Sequence, residues 1–168
     1  MPTNIPNNIT GDETRATSVL GPVSFDLRDL KVEGAGNPVV PPTLLAPSDS
    51  PLIVASDESF TMSLSIDFNN SPLTKLLLCL GTKMTVCFSL EGMGRKTREL
   101  DLEVVEITQK GEYSYQLALT STPEQAGMTP GLYVVSAVVA VGPSEHPCAN
   151  DVYGYGYIAG SLLQVYPA

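Results

Sequence analysis

Between residues 59 and 68 the chain alternates strictly. Phe60, Met62, Leu64, Ile66 and Phe68 fall on one side, Thr61, Ser63, Ser65 and Asp67 on the other. A period of two is the signature of a strand with one face in a core and the other wet. The pattern recurs at Met84, Val86, Phe88 and Leu90, set against Thr85, Cys87 and Ser89. It recurs again at Tyr113, Tyr115, Leu117 and Leu119, set against Ser114, Gln116 and Ala118. Residues 99–109 open with Leu100, Leu102 and Val104 inward and Glu99, Asp101 and Glu103 outward. They slip at Val104-Val105, as a β-bulge or a strand crossing between faces would. Val23, Phe25 and Leu27 predict a short half-buried strand, Leu52 to Val54 an edge strand, and Ile158, Leu162 and Val165 a closing one.

Residues 132–141, LYVVSAVVAV, break the alternation, with apolar side chains at both parities between Thr129-Pro130-Gly131 and Gly142-Pro143. Such a run predicts a central strand with both faces mostly covered. The leucine run at 73–80 fits a buried strand or a single helical turn equally well. Lys110-Gly111 reads as a hairpin turn, and Thr122 followed by Pro123 as the cap and first residue of one helical turn. Seven or eight strands follow, with no amphipathic helix long enough to cover a sheet. Apolar sheet faces must then bury each other, which predicts an all-β, two-sheet β-sandwich over residues 51–168. Residues 1–50, rich in Pro, Asn and Thr, are expected to form an extended N-terminal arm.

The segment Pro130-Gly131-Leu132-Tyr133-Val134-Val135 resembles the start of a late strand in immunoglobulin-like and fibronectin-type sandwiches. The resemblance implies that Tyr133 packs at a strand corner and hydrogen-bonds to loop backbone. The chain has no Trp and lacks the Cys, Trp, Cys spacing of antibody domains, so the resemblance is one of architecture.

Charge narrows the partners. Nine basic and eighteen acidic residues give a net charge of −9, which repels a phosphate backbone. The one basic cluster, Arg95, Lys96 and Arg98, adjoins Glu99 and Asp101, so no nucleic-acid partner is expected. No apolar run approaches the ~20 residues of a membrane-spanning helix, and no charged-then-apolar leader opens the chain. A cytoplasmic protein with no membrane partner is expected. Three cysteines, Cys79, Cys87 and Cys148, form no secreted-type disulfide framework. Cys79 and Cys87 flank Gly81 and would approach one another only if a hairpin turned there.

Candidate chemistry is sparse. His146, the single histidine, stands two residues before Cys148. A thiol enzyme centred on that pair would need a further group to orient the histidine, and a zinc site needs three or four ligands. A loop histidine on the surface is the simpler account. Asp101 and Glu103 share a strand face, but on the wet side, where they defend an edge. Asn8-Ile9-Thr10 and Asn69-Asn70-Ser71 match the glycosylation pattern, which carries weight only in an exported chain.

The segment VYGYGY at 152–157 is the most unusual. If extended, it sets Tyr153, Tyr155 and Tyr157 on one face, an aromatic platform for a partner chain or a carbohydrate. Alternatively, its glycines admit close neighbours and its tyrosines cover an open end. The sequence leads to a non-catalytic protein-binding or structural module that associates with its own copy, without metal or cofactor. Tyr153, Tyr155, Tyr157 and His146 are its candidate contacts. A carbohydrate-binding module and a Cys148/His146 enzyme are the alternatives.

Overall fold

A computed structural model of the chain describes residues 21–35, 51–94, 98–145 and 147–168. Among them are eight strands and two helices: β1 (Phe25–Gly34), β2 (Ile53–Ala55), β3 (Phe60–Phe68), α1 (Pro72–Leu80), β4 (Thr82–Met93), β5 (Glu99–Ile107), β6 (Ser114–Ser121), α2 (Pro123–Ala126), β7 (Gly131–Pro143) and β8 (Gly154–Tyr166). The strands form a three-stranded sheet ordered β1-β3-β6 and a five-stranded sheet ordered β2-β8-β7-β4-β5. The fold is an all-β sandwich. Every pairing within it is antiparallel except the short β2–β8 contact.

The alternating strands supply the core. Phe60, Met62, Leu64 and Ile66 of β3 face Met84, Val86, Phe88 and Leu90 of β4 and Tyr133, Val135, Ala137 and Val139 of β7 across the interior, all buried. β7 is the middle strand of its sheet, as its sequence predicts. Its second face, however, is open rather than covered: Leu132 and Val138 are 39% and 40% exposed. No layer is present over that face among the described residues, so an apolar residue at an outward position there meets solvent.

Four further expectations are corrected. The half-buried strand at Val23 to Leu27 exists, but it extends to Gly34 and pairs with β3, so this stretch belongs to the sandwich and not to an arm over residues 1–50. The rest of that arm, residues 1–20 and 36–50, lies outside the described residues. Between Arg28 and Lys31 the β1–β3 register shifts, with Asp29 at φ 56°, and this irregularity hides the second half of β1 from a period-2 reading. β5 runs against β4 without a bulge, and Val105 is simply an outward apolar residue opposite Thr85. Lys110-Gly111 does not close a hairpin, because β5 and β6 belong to opposite sheets and the turn carries the chain between them.

The leucine run is a nine-residue helix. Ser71 caps it by accepting the Thr74 N–H at 3.1 Å, Pro72 opens it, and Gly81 closes it at φ 89°. Two threonines add hydrogen bonds to carbonyls at its end, where intrahelical partners run out, and the Gly81 N–H also reaches the Leu78 carbonyl. Thr82 Oγ1 donates to the Leu77 carbonyl at 3.0 Å and Thr108 Oγ1 to the Leu78 carbonyl at 3.1 Å. Asn69 is engaged at both ends of its amide: it donates to the Pro22 carbonyl, and its Oδ1 accepts from the Ser24 N–H and the Thr74 hydroxyl. α2 is the single turn expected, with Thr122 accepting the Gln125 N–H at 3.2 Å.

Tyr133 sits where the resemblance places it. Its ring is fully buried, and its hydroxyl donates to the Thr129 carbonyl at 2.7 Å while accepting the Thr129 N–H at 3.0 Å. Replacing Tyr133→Phe leaves both backbone groups without this partner, and a loss of about 1–3 kcal/mol in urea unfolding is expected.

On the small sheet, the Arg28 guanidinium pairs with Asp67, and Ser114 Oγ donates to Asp67 Oδ1 at 2.6 Å. The Ser114 hydroxyl first and Arg28 second hold the Asp67 carboxyl below its ordinary value. A lowered folded pKa stabilises the fold above the unfolded value of about 3.9 and loses that contribution as pH falls through the folded one. Acid unfolding of Asp67→Asn is therefore expected to show a shallower dependence on pH below about 4 than the parent chain does.

Candidate functional site

The tyrosine–glycine segment forms the entry to β8. Tyr153 precedes the strand, tied by its N–H to the Val141 carbonyl at 2.7 Å. From Gly154 onward the side chains alternate, glycines inward and tyrosines outward. Tyr155 stands opposite Ala140 and Tyr157 opposite Val138 on β7. They are 71% and 68% exposed, and Tyr153 is 49% exposed. Tyr155 and Tyr157 thus share the outer face of the five-stranded sheet, while Tyr153 stands just outside the strand.

The glycines have a separate cause. A Cβ on Gly156 would lie 2.7 Å from Leu27 Cδ1 and 2.8 Å from Phe25 Cε2, so β1 packs directly against the backbone of β8. At Gly154 the same atom would meet only Phe25 Cε1, at an ordinary 3.7 Å. Close packing and an exposed aromatic pair, weighed as alternatives in the sequence, are both present on opposite faces of one strand.

Around the tyrosines the outer face is apolar on one side and acidic on the other. Strand pairing aligns Leu162 with Val134 and Tyr157 with Val138, and then Val138 with Cys87 and Cys87 with Glu103. Leu162 is 47% exposed, and no charged residue lies between Asp151 and the last residue, Ala168. Two strands away, Glu91 faces Glu99, with Asp101 and Glu103 following along β5. None of these four carboxylates has an ion-pair partner among the described residues.

At the end of β8 nearest α1 the surface dips into a groove of about 460 Å³. Phe25, Leu73, Leu77, Val141, Tyr153 and Tyr155 line it, along with Val23, Ser24 and Gly154. Apart from the tyrosine hydroxyls, Ser24 supplies its one polar side chain. A sugar needs more hydrogen-bonding partners than that, whereas an apolar side chain does not.

The three thiols lie apart in the fold. Cys79 lies on α1 and Cys87 on the outer face of β4, both free, because the hairpin that would bring them together is replaced by the helix. Burial first, then Asp101 and Glu103, push the Cys87 thiol up, away from the reactive thiolate. Cys148 is exposed and free. His146 lies outside the described residues, so its placement against Cys148 is not described. Among the described residues no three His, Cys, Asp or Glu side chains converge to hold a metal ion.

Sequence reasoning located the tyrosines but missed Val138, Leu132 and Leu162 as surface residues. The missing signal is strand pairing: the outward neighbours of β7 on β4 are Thr85, Cys87, Ser89 and Glu91, a wet series.

Neither a protein-family model nor a curated protein sequence matches the chain. Among solved structures, AggA, the major subunit of aggregative adherence fimbriae type I from Escherichia coli, aligns over 90% of this chain and 99% of its own. The identity is 10% and the TM-score 0.41. A β-glucosidase from Listeria innocua, in complex with isofagomine, aligns over 88% of this chain at 14% identity and a TM-score of 0.38, and this chain spans 16% of its length. At these scores neither likeness bears on function.

Close packing at Gly156 makes a differential prediction. Gly156→Val should lower unfolding stability by about 1–3 kcal/mol through overpacking against Phe25 and Leu27. Gly154→Ala, measured by the same denaturant titration, should stay near the parent value.

Proposed function

We propose that this chain is a non-catalytic protein-binding module that associates with its own copy through the outer surface of β7 and β8. The observation that carries the reading is the exposed, uncharged apolar surface of Tyr155, Tyr157, Val138 and Leu162 on two adjacent strands. Exposed aromatic and aliphatic side chains in one contiguous patch are typical of association surfaces, with tyrosine the favoured anchor. The chain's net charge of −9 resists self-approach elsewhere, whereas this surface brings no like charges together.

Sedimentation velocity of the parent chain over a range of concentrations tests the reading, alongside the double variant Tyr155→Ser/Tyr157→Ser. The parent is expected to sediment faster as concentration rises, and the variant to remain monomeric with unchanged thermal unfolding. A parent chain that is monomeric throughout would remove self-association from the reading.

A further inference from the structure

β8 is paired along its whole length on one side only. On its other side β2 reaches residues 164–166 and stops. Residues 154–159, ahead of the register shift marked by Gly160 at φ 124°, have no strand beside them among the described residues. β1 does not fill that place. Its Phe25 and Leu27 meet the inward side of Gly156, so β1 packs against the inner face of β8 without pairing with it, and no described strand occupies that edge.

An open strand edge carries unpaired backbone N–H and C=O groups and is a template for another strand, so proteins usually blunt such edges. Two other edges of this molecule are blunted. β1 has its irregularity at Asp29, together with Asp26, Arg28, Lys31 and Glu33. β5 carries Glu99, Asp101, Glu103 and Glu106. β6 shares the uncharged character of β8, but it turns the polar Ser114, Gln116 and Thr120 outward in place of an aromatic row. The open part of β8 has no charge, no proline and no irregularity before Gly160.

We infer that this edge pairs with the same edge of a second copy, antiparallel about a two-fold axis at Tyr157, joining two five-stranded sheets into one. This deepens the proposed self-association by naming its mode, and it rests on that reading. The side chains fit a two-fold there. Pairing about Tyr157 sets Tyr155 beside the partner subunit's Ala159 on the outer face and Gly156 beside the partner subunit's Ile158 on the inner one. On each face a large residue stands next to a small one, and the two Tyr157 rings are neighbours at the axis. A two-fold contact is self-complementary and closes at a dimer.

Backbone hydrogen exchange, read together with sedimentation, separates edge pairing from other modes of association. In the parent chain, exchange at every second amide of residues 155–159, those directed away from β7, should slow by about tenfold or more as the dimer forms. Ala159→Lys introduces a charge at an exposed position on this edge. It should keep the parent's thermal unfolding while weakening the dimer by about tenfold or more, in the manner of natural edge protection. Val138→Lys, one strand in from the edge, should weaken it less. A dimer whose amides at 155–159 exchange at the monomer's rate would overturn edge pairing and leave the apolar face as the contact. A monomer at every concentration would overturn both the edge pairing and the self-association on which it rests. Protection at these amides that appears only with an added extended peptide of another protein would overturn the choice of a second copy.

Discussion

Phe25 and Leu27 rest directly on the backbone of β8 at Gly156, and this close approach joins the first strand of the sandwich to the last. β1 belongs to the three-stranded sheet and β8 to the five-stranded one, so the contact draws the two layers together at their shared side. A side chain at position 156 would have to displace the Phe25 and Leu27 side chains that meet there. Because the pleat alternates, residues that must be small inward are flanked by residues directed outward. Tyr155 and Tyr157 therefore leave the core as a consequence of the same packing that closes it.

Much of this arrangement is legible in the sequence, where packing obeys one period. β3 and β4 read cleanly because every second residue is buried from end to end. Tyr133 and the Thr122-Pro123 cap are legible because each rests on local chemistry within a few residues. Misreadings fall where local chemistry competes with period. β1 loses its alternation at Asp29, and β8 changes parity at Gly160, which is why Ile158 and Leu163 both point inward while Leu162 points out. In α1 the run of leucines masked a cap that was present in Ser71-Pro72, and only Thr74 and Leu78 of that helix are buried.

β7 presents the opposite difficulty. Valine at both parities implies burial on both faces, because apolar side chains are usually covered when they occur in an unbroken run. That inference assumes the second face has a layer to cover it. Here the strands beside β7 expose Thr85, Ser89 and Glu91 on one side and Tyr155 and Tyr157 on the other, so the face is open to solvent. An apolar centre on an otherwise wet sheet lies at the surface rather than in a core, a distinction that composition along one strand cannot make. It becomes visible only once the register is known.

Charge then divides that face. On that face Glu91, Glu99, Asp101 and Glu103 have no ion-pair partner among the described residues, whereas residues 154–166 of β8 carry no charged side chain. Repulsion between exposed carboxylates is screened over roughly 8–10 Å in physiological salt. At about 4.8 Å per strand step, β5 lies two steps from β7 and three from β8, so repulsion at the acidic edge weakens before it reaches the tyrosines. In the proposed pairing, this sheet resists association at its acidic edge and permits it at the other, and the acidic edges of the pair face outward, where further strands are repelled.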